Sequence, residues 1–133
     1  GEDSVSFLPA LNGKQIPSVG SRGIVHHSDA GVFAVRRGKW KLLLDNQGGS
    51  RRRNPKDKPV ANSADLLLFN MSADAVESTN VSADYPEVVT DLKKLLADYI
   101  NRGRSTPGAP QKNDPMTGRK KWTQTDPIND YLE

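Results

Sequence analysis

Three short apolar runs separated by turn residues, all within residues 23–44, restrict the fold of this chain more than any other feature. The run from Ile24 to Ser28 suits an extended backbone, and Asp29-Ala30-Gly31 supplies a turn after it. Val32-Phe33-Ala34-Val35-Arg36 reads as a second strand. Arg37-Gly38 then offers a two-residue hairpin connection, because glycine takes the positive φ that primed turns require. In the third run, Lys39 to Leu44, alternation sets Trp40, Leu42 and Leu44 on one face. Two-residue links join antiparallel neighbours, so these runs predict a meander.

A fourth strand is expected at Leu66-Leu67-Leu68-Phe69, paired with the third across a loop over residues 45–64. A helix is expected over residues 84–103. Asp84 and Glu87 are spaced as in a capping box, Pro86 suits a first turn, and Gly103 is a stop signal. Val88, Leu92, Leu95 and Tyr99 give that helix one apolar stripe, which Val89, Leu96 and Ile100 widen. The predicted class is therefore α+β: a four-stranded antiparallel β-sheet, one C-terminal helix packed on one face, and an irregular tail. Residues 105–133 hold four prolines and few apolar residues, too sparse for a core of their own, so they are expected to be extended or disordered. The expected divisions are a lead-in over 1–22, the sheet and helix over 23–104, and this tail over 105–133.

Composition narrows the function classes. Apolar residues make up 35% of the 133-residue chain. Mean hydropathy is −0.67, and no apolar run approaches the roughly 18 residues of a membrane span. The polar start Gly1-Glu2-Asp3-Ser4 does not read as a signal peptide. There is no cysteine, which excludes disulfides, thiolate metal sites and a cysteine nucleophile in this chain. The formal charge of +3 comes from one place: residues 45–64 carry Arg51, Arg52, Arg53, Lys56 and Lys58 against Asp45 and Asp57. Charge confined to one loop, with no recognition helix or aromatic-basic strand, argues against a nucleic-acid-binding module. Two sequons, at Asn70 and Asn80, are short enough to arise by chance.

The order of the pieces resembles the C-terminal end of the formylglycine-dependent sulfatases, the arylsulfatase family. The lead-in from Asp3-Ser4-Val5-Ser6 through Pro9, Leu11 and Gly13 is similar to the segment that closes the family's large catalytic domain. Phe33-Ala34-Val35-Arg36 and Gly38-Lys39-Trp40-Lys41-Leu42 look like its hairpin. Leu68-Phe69-Asn70-Met71, then Glu77, Asn80, Pro86 and Glu87, follow its later order, with Phe69 and Asn70 where the family carries tyrosine and aspartate. Arg102-Gly103-Arg104-Ser105 completes the series. The resemblance implies a parent sulfuric ester hydrolase, periplasmic or extracellular, whose sulfate-ester substrate meets a formylglycine nucleophile and a divalent cation, calcium. This chain shows neither the nucleophile motif nor a clustered set of aspartates and asparagines. It is therefore expected to hold no metal and no catalytic residue, to need the N-terminal catalytic domain of the same polypeptide, and to be inactive alone.

The candidate substrate-binding residues are His26, His27 and Arg36. Strand alternation sends the two histidines to opposite faces, so one regular strand does not let both chelate a single metal. Either histidine lines a substrate cleft, or one packs and the other faces solvent. Arg36 either pairs with an acidic group or an interdomain surface, or meets a sulfate or acidic sugar. Arg51, Arg52 and Arg53 are either a solvated loop or a polyanion site, since a guanidinium fork suits sulfate. The alternative to a supporting subdomain is thus an independent module binding a sulfated glycan or nucleic acid through residues 51–58. The sheet face away from the helix is expected to leave an apolar patch exposed, or to drive self-association.

Overall fold

The computed structural model describes residues 4–16, 21–28, 31–45, 66–113 and 123–133. Four strands, β1 (Ile24–His27), β2 (Phe33–Arg37), β3 (Trp40–Leu43) and β4 (Leu67–Asn70), form one sheet in sequence order. Every neighbouring pair is antiparallel, as the meander reading expects. The β2–β3 link shifts by one residue from expectation. Arg37 pairs with Trp40, so the loop is Gly38-Lys39. Gly38 takes φ 58 at the first loop position, as a type II′ turn requires.

Register fixes the two faces. Val25, Val35, Leu42 and Leu68 lie in one row across the strands. They join Leu92, Leu96 and Ala97 of α2 (Pro86–Asn101) in the main core. The helix packs over β2 and β3. The opposite face buries Ala34, Leu43, Leu67 and Phe69, with Met71 against them. These four are at most 6% exposed, so the expected open apolar patch is not on this face. Exposed large apolar side chains sit elsewhere, with Phe7, Leu8 and Leu11 at 61–71% in or beside the one-turn α1 (Leu8–Leu11).

The ends of α2 show what its sequence signals do. Tyr85, not Asp84, is the N-cap, and no side chain caps the helix. Pro86 is the cause: it disfavours helical backbone in the preceding residue, so the helix begins at the proline and Glu87 falls one position short of a capping box. At the other end, the N–H of Gly103 donates to the Ile100 carbonyl (3.0 Å) and that of Arg104 to Tyr99 (3.0 Å). This is a Schellman closure, with Gly103 at φ 64 and the Gln111 carbonyl 2.0 Å from where a Cβ would sit.

The segment after β4 guards one open edge of the sheet. The Asn80 side chain accepts from Leu68 N–H (3.0 Å) and donates to the Leu66 carbonyl (3.3 Å), and Val81 N–H donates to the Leu68 carbonyl (2.9 Å). The 80–81 backbone thus covers the free edge of β4. Both ends of the Asn80 amide are thereby in use. Within the stretch expected as an extended or disordered tail, Thr123–Tyr131 is a 3-10 helix lying against α2, and its Ile128 is fully buried.

Candidate functional site

Strand parity places His26 and Arg36 on the sheet face away from α2, and Lys41, directly opposite Arg36, shares that face. Two cations facing each other across a pair of strands repel. Lys41 is relieved by Glu77, whose Oε1 lies 2.5 Å from its Nζ, with the two side chains 17% and 29% exposed. Glu77 reaches it from a non-glycine left-handed conformation, φ 58, which costs on the order of 1–3 kcal/mol unless its surroundings impose it. Asp74 imposes it. Its carboxylate accepts from the Ser78 hydroxyl (3.1 Å) and the Thr79 N–H (2.8 Å), closing the turn that carries Glu77. The Ser78 backbone N–H and then that of Thr79 hold the Asp74 pKa below its usual 3.8, with the Ser78 hydroxyl adding less.

His26 titrates under the influence of this group. Desolvation of its ring lowers its pKa below 6.5, and the Lys41 charge adds to this; Glu77 pulls the other way, and Arg36 and His27 lower it further. His26 is exposed as a residue, so the desolvation reaches only part of it. The sign follows from linkage. A base whose folded pKa is depressed binds fewer protons than the unfolded chain, so its favourable contribution is complete above pH 6.5 and declines as the pH falls through that value. NMR titration of His26 is expected to give a pKa below that of a free histidine. Glu77→Gln, which removes the one group raising it, should lower that pKa again; a rise in the variant would contradict the arrangement.

His27 belongs to the other side. Its ring meets Phe33 edge-on, with centroids 6.1 Å apart, and Nδ1 lies 2.9 Å from the Ser28 carbonyl. A carbonyl only accepts, so Nδ1 is the donor in this contact. Both histidines, with Ser28 and Lys41, line a small cavity of about 130 Å³. Arg36 is exposed and donates from Nε to the Gly38 carbonyl at 3.4 Å. Arg51, Arg52 and Arg53 lie outside the described residues.

The structure therefore unites His26 and Arg36 and adds Lys41 and Glu77. Lys41 was within reach of the parity that placed Arg36. Glu77 carries no local signal of its role, because its partner is 36 residues away. Chemically the face suits binding of an anion. Among the described residues no group of three or more His, Cys, Asp or Glu side chains could hold a metal ion.

No family model matches the chain. An N-acetylgalactosamine-6-O-sulfatase of Bacteroides thetaiotaomicron is 29% identical over 109 residues, covering 75% of this chain and 19% of the relative. A solved sulfatase structure, from work on how the same organism metabolises multiple glycosaminoglycans, matches with a TM-score of 0.54 and 29% identity, over 72% of this chain and 19% of its own. This chain is sulfatase-related. The sulfatase-related segment spans about a fifth of the length of each relative, 19% in both comparisons. No helix among the described residues is long and apolar enough to cross a membrane.

Proposed function

We propose that this segment is the C-terminal, non-nucleophile portion of a formylglycine-dependent sulfatase and supports the substrate cleft of an adjoining catalytic domain. In that reading the catalytic domain supplies the formylglycine nucleophile and calcium, whose chemistry polarises the sulfate ester. His26, Arg36 and Lys41 then supply contacts to the anionic substrate from one sheet face. The observation that carries the reading is this cationic face, with Lys41 fixed by Glu77 in a sulfatase-related segment. The name of the relative sets the proposed substrate class, a 6-O-sulfated amino sugar of a glycosaminoglycan.

The test uses the longer sulfatase polypeptide that carries this segment. His26→Ala, Arg36→Ala and Lys41→Ala are each expected to raise KM for a sulfated disaccharide. A lost hydrogen bond to a charged group, about 1.5–3 kcal/mol, corresponds to roughly tenfold or more. Turnover of a small aryl sulfate, too short to reach the face, should stay unchanged. Unaltered KM in all three variants would remove these residues from the substrate and leave the segment a support only.

A further inference from the structure

The two edges of the sheet differ. β4 has the 80–81 backbone along its outer side, whereas among the described residues no backbone is hydrogen-bonded along the outer side of β1. Alternation shows which groups of β1 are left over. Ser28 N–H donates to the Val32 carbonyl (3.0 Å), so Ser28 turns its backbone toward β2, and by alternation His26 and Ile24 turn the same way. Phe33, the partner of His27, sends its carbonyl the other way, to Leu44 N–H (2.9 Å). Val25 and His27 therefore each point one N–H and one carbonyl away from the sheet. Gly23, the preceding outward position, already has its N–H on Tyr99 Oη (3.0 Å), which marks one end of the open stretch. β1 also lacks the usual guards of an edge strand, lysine, proline or a bulge. Ile24, Val25, His26 and His27 pair one for one with Arg36, Val35, Ala34 and Phe33, and Ile24 is 57% exposed.

A strand added at this edge meets different surroundings on its two faces. Its residues opposite Val25 and His27 fall on the α2 side, where a cavity of about 330 Å³ beside β1 is walled by Val25, Phe33, Leu96 and Ile100. Its residues opposite Ile24 and His26 fall on the face that carries Arg36 and Lys41. Lys41 is matched by Glu77, but Arg36 makes no ion pair among the described residues, so this face keeps a positive charge. A second copy of the chain fits poorly. Antiparallel pairing of two β1 strands about His26 sets Val25 opposite His27 and puts both Arg36 side chains on the same face, where like charges oppose the pairing. We propose that the open edge of β1 takes up an extended segment of a partner protein by strand addition, with apolar side chains turned to the α2-side cavity and acidic ones to His26 and Arg36. The main-chain bonds supply affinity and the two faces supply selectivity. This reading uses the edge of the sheet, and it stands whether or not the sheet face meets a sulfate ester.

The probe is a short acetylated peptide alternating glutamate and valine, titrated into the full 133-residue chain and followed by NMR. Saturable shifts are expected along β1, with hydrogen exchange slowed at the Val25 and His27 amides. The Ile24 and His26 amides, already turned to β2, should change less. The added carboxylates should also raise the pKa of His26. N-methylating the alternate peptide amides that face β1 should weaken binding roughly tenfold or more. That control leaves the protein unchanged, so its folding does not enter the result. A peptide alternating lysine and valine should bind roughly tenfold more weakly than the acidic one. Saturable shifts that N-methylation leaves intact would show anion binding at the sheet face without strand addition. Equal binding of the lysine peptide would remove the preference for acid. Val25 and His27 amides protected before any peptide is added, in a chain that sediments as a dimer, would make a second copy the occupant. Each of these results overturns the proposal, as does a titration that never saturates.

Discussion

Leu68→Ala is expected to destabilise the chain by about 2–5 kcal/mol, the range for removing a fully buried leucine side chain. Leu68 is 0% exposed and sits in the row Val25, Val35, Leu42, Leu68, beneath Leu92 and Leu96 of α2. Its backbone is engaged at both ends by Asn80 and Val81, so β4 has little freedom to move inward and fill the cavity left behind. A domain of this size has roughly 5–15 kcal/mol in total, so the loss consumes a large share. A fall in Tm on the order of 10 °C follows. Val76→Ala is the matched control: Val76 is 84% exposed, and its change should stay within about 0.5 kcal/mol. Denaturation curves that coincide for the two variants would take β4 out of the core.

The sheet was readable because period-two alternation and two-residue links specify it locally. Trp40 and Leu42 face α2 as their spacing requires, and the strand ends miss by a single residue. The helix was readable from its stripe and from Gly103, whose Schellman closure is a local event. Its start was misplaced because Asp84 and Glu87 imitate a capping box that Pro86 overrules from between them. Asn80 opens a sequon, yet its amide serves β4 through bonds to Leu66 and Leu68 that no local pattern announces.

The site divides along the same line. Parity separates His26 from His27, and the structure puts His27 beside Phe33 and His26 under the influence of Lys41. What parity omits is partnership across long sequence separations. Lys41 meets Glu77 across 36 residues, and Arg22 meets Ser105 across 83. A motif read one segment at a time holds no trace of such pairs. A cavity of about 330 Å³ lined by Arg22, Phe33, Leu96, Tyr99, Arg104 and Asn113 likewise draws on separate segments, none of them distinctive alone.

Ile128→Ala is the counterpart to Leu68→Ala at the part of the chain that its composition concealed. One isoleucine between Pro127 and Asn129 gives no periodicity, so the stretch reads as tail. In the structure Ile128 is 0% exposed within the main core. The Asn101 side chain fastens the same 3-10 helix by donating to the Tyr131 carbonyl (3.0 Å) and accepting from Glu133 N–H (3.1 Å). Removing the isoleucine side chain beyond Cβ costs about 2–5 kcal/mol when the site stays closed. Here a cheaper route exists: residues 123–133 are held against the core by Ile128, the partly buried Tyr131 and Leu132 and a few terminal bonds, and the segment can detach while the sheet stays folded. The expected result is therefore a local one: hydrogen exchange and proteolysis speed up over residues 123–133, while β2 and β3 amides keep their protection. Loss of protection spread evenly over sheet and tail would show instead that the 3-10 helix is an integral part of the same cooperative unit. Unchanged exchange over residues 123–133 would show that Ile128 does not anchor it.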